Sequence, residues 1–138
     1  MSGVPLLSVD GIDVFYGSSQ ILFGIGLDVH QGQTVALLGR NGAGKSTTMK
    51  TIAGVVAPRR GTITFRGHQV AGRKPHVLAR LGLAYVPEDR QVFPDLSVQD
   101  NLAIAAKRGP DGADDWTLRQ VWETFPLLEP LRNRAAGR

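Results

Sequence analysis

Apolar and polar positions alternate loosely over residues 6–16, LLSVDGIDVFY, with Val14 and Tyr16 on one side and Phe15 on the other; this predicts a β-strand. Two further runs, GIGLDV at 24–29 and TVALL at 34–38, flank HQGQ, whose Gly32 permits a tight turn, so they are expected to be neighbouring strands. TVALL is apolar almost throughout, as a strand buried on both faces of a parallel sheet should be. It runs directly into a glycine-rich loop, GRNGAGKSTT, at 39–48.

Beyond that loop, helical character over 45–53 ends at Gly54, a suitable residue just past a helix end. TITFRG at 62–67 reads as a β-branched strand stopped by Gly67. KPHVLARLG reads as a short helix with Pro75 early and Gly82 after its end, and LAYVP at 83–87 as another short apolar strand. A loop then leads into a helix starting near Ser97, which is spaced from Asp100 as in a capping box. Leu118, Val121, Trp122 and Phe125 form one stripe at helical spacing, best explained by core packing, with Asp114 and Asp115 at the favourable N-terminal end. RGPDGADD at 108–115 reads as a flexible connector, and the polar run LRNRAAGR at 131–138 lacks a strong cap.

Composition narrows the setting. The 138 residues are 42% hydrophobic, enough for one ordinary domain or part of one. A net charge of +4 is compatible with a nucleic-acid partner, but the basic residues are scattered and form no stripe, so no nucleic acid is expected. There is no cysteine, hence no disulfide frame and no thiolate metal site. The first residues lack the basic and apolar regions of a secretory signal, and no apolar run approaches the roughly 20 residues needed to span a bilayer. The expectation is a cytoplasmic protein whose membrane role, if any, comes through a partner.

The glycine loop carries the chemistry. Gly39, Arg40, Asn41, Gly42, Ala43, Gly44, Lys45 and Ser46 match G-x-x-x-x-G-K-[ST] at every fixed position. A loop that wraps a chain of phosphates must turn successive backbone N–H groups inward, through conformations and close approaches that side chains obstruct. The helix opening at Lys45 adds unpaired N–H groups and a positive dipole end. Lys45 supplies a compact charge for the β- and γ-phosphates, and Ser46 a hard oxygen for Mg²⁺. At ordinary residue usage these four fixed positions would coincide in such a chain with a probability on the order of one per cent. Their place between an apolar strand and a helix lowers that further.

A GTP-hydrolysing switch would need NKxD and DxxG, and neither string occurs. A small-molecule kinase would need a lid of arginines, and the arginines here form no recognisable pattern. The chain instead resembles the N-terminal part of the ATP-binding subunit of an ABC transporter over essentially its whole length. The likeness rests on FYGSSQIL, GRNGAGKSTTMKTIAG, GTITFRG and GLAYVPEDRQVFPDLSVQDNL. The last of these is most similar to the subgroup that energises import of branched-chain amino acids and related amides.

That resemblance implies an α/β P-loop NTPase fold of ABC type. It implies an antiparallel β portion at 1–38, the phosphate loop and its helix at 39–54, core strands and a glutamine-loop region at 55–95, and the start of a helical subdomain at 96–138. Tyr16 takes the place of the aromatic that stacks on adenine; Gly39 to Thr47 take that of the phosphate loop; Glu88 stands where most of the family has a Mg²⁺-contacting glutamine. The segment after Glu88 is similar to the mobile stretch near the membrane partner. Glu88 and Asp89 follow LAYVP much as a magnesium-holding, water-activating acidic pair would, but Pro87 separates them from the strand and the loop reading fits better. No Ser-Gly-Gly signature, Asp-Glu strand or later histidine is present; His30, His68 and His76 lie too early.

The resemblance thus implies a piece of a longer subunit that binds ATP and Mg²⁺ weakly, without turnover by itself. In the complete subunit, water attacks the γ-phosphate while Lys45 and Mg²⁺ stabilise charge, and no protein residue becomes phosphorylated. Implied partners are transmembrane permease subunits, a second ATP-binding subunit and, indirectly, an external solute-binding protein, with the subunit peripheral on the inner membrane face. The rival readings are a non-transport ABC-type ATPase acting on nucleic acid or the ribosome, and a P-loop small-molecule kinase.

Overall fold

A computed structural model describes residues 3–89, 91–106 and 116–137, in two compact units divided after Tyr85. The first unit is built on a four-stranded sheet in the order β2-β1-β3-β4, formed by β1 (Leu7–Tyr16), β2 (Ser19–Val29), β3 (Arg60–Phe65) and β4 (His68–Gln69). Every neighbouring pair is antiparallel. The loose alternation of β1 has a physical cause. Gly11 adopts φ +58°, and the register of β1 shifts between Val9 and Ile12, so one extra residue changes which parity faces inward. Val9, Ile12 and Val14 consequently all enter the core. Gly61 is required opposite this bulge, because an added Cβ would lie 2.5 Å from Gly11 O and 2.6 Å from Asp10 O.

Over the inner face of the sheet lie α1 (Lys45–Ile52) and α2 (Pro75–Arg80). Ile52 and Leu78 join Val9, Ile12, Val14, Leu22, Ile63, Phe65 and Val70 in one core. Both helices stop where the sequence predicts. Gly54 takes φ +75° after α1, where a Cβ would meet Arg73 O at 2.2 Å, and Gly82 takes φ +96° after α2. Pro75 opens α2, and Gly67 ends β3 at φ +77°.

Two expected strands are absent. Residues 34–38 and 83–87 have no regular secondary structure, and the expected pairing of 24–29 with 34–38 does not form; β2 pairs with β1 instead. The turn between them does exist, closed by Gln33 N donating to His30 O at 3.0 Å with Gly32 at φ +73°. A parallel strand exists only between hydrogen-bonded neighbours covered on both faces. Among the described residues nothing supplies these, so Leu38 and Val86 are each 88% exposed and no parallel core forms.

The second unit contains α3 (Val98–Ala105), α4 (Leu118–Thr124) and a 3₁₀ turn at Glu129–Leu131. Ser97 caps α3 by accepting from Asp100 N at 3.0 Å, but Asp100 returns no bond to the backbone; its carboxylate accepts from the Ser97 hydroxyl at 2.6 Å. Substituting Ser97→Ala is expected to lower the urea midpoint by an amount equivalent to about 1 kcal/mol. The next N–H groups of α3, at Val98 and Gln99, donate to Arg134 O and Arg132 O, so residues 132–137 complete the cap. α4 begins with a full capping box between Thr117 and Gln120; the expected Asp114 and Asp115, and the connector at 108–115, lie outside the described residues. Leu118, Val121 and Trp122 are half-buried and Phe125 is 53% exposed, so among the described residues the stripe is only partly packed and none of it is fully buried.

Candidate functional site

The phosphate-loop residues lie where α1 springs from the loop beside β2. Gly42 and Gly44 adopt φ +82° and +96°, the left-handed region that obstructs other residues. Gly44 is constrained twice, because an added Cβ would stand 2.5 Å from Leu22 Cδ2. Leu22 is fully buried in β2, so the sheet core itself fixes how closely the loop can approach. Ala43 N donates to Arg40 O at 3.1 Å and closes the turn.

The first intrahelical bond of α1 runs from Thr48 N to Gly44 O at 2.8 Å, and Thr48 Oγ1 donates to the same carbonyl at 2.9 Å. The N–H groups of Lys45, Ser46 and Thr47 therefore precede the helical ladder and have no carbonyl within it. Thr47 and Thr48 are buried, and Thr51 Oγ1 donates to Thr47 O at 2.7 Å, which anchors the helix start. Ser46 is exposed at the second helical position. The Lys45 ammonium donates to Gly39 O at 2.5 Å and Arg40 O at 2.8 Å, so it lies against the loop's own backbone.

Gly39, Arg40, Asn41, Gly42, Ala43, Gly44, Lys45, Ser46 and Thr47 thus form one continuous loop-to-helix segment, with the N–H groups of Lys45, Ser46 and Thr47 outside the helical ladder. N–H groups left over at a helix start are of the kind that suits a phosphate. The segment also fits Mg²⁺ as a cation held partly by phosphate oxygens, since a hydroxyl such as that of Ser46 is a hard ligand and the site offers no soft one. Among the described residues no group of three or more His, Cys, Asp or Glu is placed to hold a metal.

Tyr16 ends β1, is 47% exposed, and pairs with Ser19 across the hairpin turn. Ser19 precedes Leu22 by three residues, about 10 Å of strand. One face of the hairpin tip is braced by the Arg59 guanidinium, 4.0 Å from the centroid of the Phe15 ring. Glu88 belongs to the second unit, exposed in a turn at 88–89. Sequence reasoning missed Leu22 as the backstop of Gly44, and nothing local could have revealed it, since the two are far apart in the chain. It also missed the second Thr48 bond, which a hydroxyl four residues after a glycine does suggest.

Among known families, the one described as "ABC transporter" matches residues 22–137. The high-affinity branched-chain amino acid transport ATP-binding protein BraG of Pseudomonas aeruginosa is 35% identical over 134 residues, which are 96% of this chain and 57% of that protein. The ribose import ATP-binding protein RbsA 1 of Mesorhizobium japonicum is 41% identical over 104 residues, 75% of this chain and 20% of that protein. A solved structure of an ATP-binding subunit of an ABC transporter superposes with a TM-score of 0.72 at 32% identity, covering 93% of this chain and 53% of the other. The chain therefore spans little more than half the length of the first relative.

Proposed function

The chain belongs to the ABC transporter family, a P-loop NTPase fold, and from that premise we propose that it forms the phosphate-holding part of an ATP-binding subunit that drives solute import. The observation that carries this reading is the Gly44–Lys45 corner, where a left-handed glycine packed close to Leu22 starts α1 and the Lys45 ammonium lies against the loop carbonyls of Gly39 and Arg40. In the complete subunit the loop binds the β- and γ-phosphates of ATP through backbone N–H groups, and Lys45 neutralises charge that grows as water attacks. Mg²⁺, when bound, supplies further neutralising charge, and Ser46 would be its ligand from this unit. Glu88 is a second candidate oxygen ligand; its carboxylate would add negative charge that a glutamine would not.

Tyr16 would stack on the adenine at the hairpin tip. Substituting Tyr16→Ala is expected to weaken ATP binding roughly tenfold, in line with the value of one stacked base, while Tyr16→Trp preserves it. Fluorescence titration with an ATP analogue measures both.

The permease-bound subunit would lie peripherally on the inner membrane face; none of the described helices is long and apolar enough to cross a membrane. Branched-chain amino acids are the favoured cargo, supported by the relative that aligns with nearly the whole chain. Sugar import is the second reading, favoured by the higher identity of the ribose relative over a shorter stretch. Disrupting the gene should abolish uptake of labelled leucine and spare ribose; the reverse would sink the first reading in favour of the second.

A further inference from the structure

Along β2, Leu27 and Ile25 pack against the core two residues apart, so strict alternation would turn Phe23 inward next and leave Leu22 facing outward. The structure has the reverse, with Leu22 fully buried and Phe23 68% exposed. The switch lies between the register pairs Ile12–Ile25 and Val14–Leu22, where Asp13 alone stands opposite Phe23 and Gly24. That extra residue is a bulge, and Gly24 takes φ +58° within it.

Asp13 holds the bulge from the facing strand. Its Oδ1 accepts from Gly24 N at 2.8 Å, and its carbonyl accepts from Arg59 N at 2.8 Å, so it is anchored on both sides. Two residues along β2 from Gly24 stands Leu22, whose Cδ2 lies 2.5 Å from where a Cβ on Gly44 would be; Ile21 O lies 3.6 Å from the same place. Which side chain backs the phosphate loop is therefore decided at the bulge.

We propose that Asp13 is a positioning residue for the phosphate loop, because its bond to Gly24 keeps the bulge in place and with it Leu22, rather than the bulkier Phe23, against Gly44. This role rests on the reading of residues 39–47 as the seat of the ATP phosphates. Asp13 acts through Leu22 on the start of α1 and not by contact with the nucleotide. Its loss lowers the preorganisation of the loop and so weakens the hold on phosphates, while the base contact at Tyr16 is kept.

Calorimetric titration of the complete subunit with ATP and with inorganic tripolyphosphate, which carries a phosphate chain without a base, reads this directly. Asp13→Ala should weaken both by about fivefold, the value of one hydrogen bond. Amide exchange at Gly24 should quicken by about tenfold while β3 stays slow. Asp13→Asn keeps an acceptor on a side chain of the same size and should restore both affinities. Gly24→Ala reaches the bulge from the other strand: its Cβ has open space but its positive φ is one that alanine resists, so it should copy Asp13→Ala. Gly24→Asn, better tolerated in that conformation, should lose less. Tyr16→Ala should weaken ATP alone.

Affinities kept in Asp13→Ala, with only the urea midpoint lowered, would overturn the proposal by making the residue a purely structural one. A loss confined to ATP would do the same, since it would place the effect at the base and not at the loop. So would an Asp13→Asn as weak as Asp13→Ala. Should Asp13→Ala fail to fold, Gly24→Ala decides, and wild-type affinity for tripolyphosphate in that variant would overturn the role. Wild-type protein that binds neither ligand is a different failure, visible before any substitution is made: it removes the phosphate-loop reading, and the positioning role with it.

Discussion

Lys45→Ala is expected to lower ATP hydrolysis by the complete subunit by roughly 10²–10³-fold, the usual cost of deleting one group that stabilises charge developing in a transition state. The ammonium lies against the Gly39 and Arg40 carbonyls at 2.5 and 2.8 Å, so the substitution removes the loop's compact cation and an internal tie at once. ATP affinity should fall as well, because a cluster of backbone N–H groups then meets a multiply charged anion alone. Lys45→Arg should rescue little, since a planar guanidinium is broader than an ammonium and cannot follow the same path. Phosphate release and equilibrium binding of a fluorescent ATP separate the two effects. Hydrolysis that persists at the wild-type rate in Lys45→Ala would remove the loop from the mechanism.

Gly44→Ala is the most damaging small substitution expected at the site. Its φ of +96° costs a non-glycine residue about 1–3 kcal/mol. The new Cβ would also stand 2.5 Å from Leu22 Cδ2, and forcing a side chain into a packed core costs about 1–3 kcal/mol more. Together these come to about 2–6 kcal/mol, a large share of the roughly 5–15 kcal/mol that separates a typical folded domain from its unfolded chain. Gly42→Ala is the control: its φ is +82°, but nothing lies within 4 Å of the place its Cβ would take, so only the backbone cost applies. Urea denaturation of the two variants should rank them clearly. Equal losses would mean that Leu22 yields at no cost and that the core does not fix the loop.

What could be read from the sequence was whatever has a local chemical signature. The phosphate loop, the proline opening α2, the serine capping α3 and the glycines ending helices all impose a residue type at a fixed place. The choice of strand partner has no such signature. GIGLDV and TVALL are adjacent in sequence and joined by a real turn, yet β2 pairs with β1 and 34–38 pairs with nothing described. Hydrophobicity marks a segment as wanting cover; it does not say which segment provides it. The same holds for residues 132–137, whose bonds to α3 and its preceding turn come from main-chain groups and leave no trace in residue type. The β1 bulge is intermediate, since Gly11 hints at it and only the register proves it.

The sheet order has a consequence for synthesis. Every strand of the antiparallel layer lies within the first 69 residues, so this layer can close once that length has left the ribosome. The run at 34–38 has emerged by then, with Leu38 bare and no neighbour made. For the interval in which it stays uncovered, the nascent protein carries an unpaired apolar ribbon beside a finished sheet. A chaperone, or a slow codon stretch that spaces neighbouring ribosomes, would act on that interval, because it is when two such chains can meet by the wrong edge.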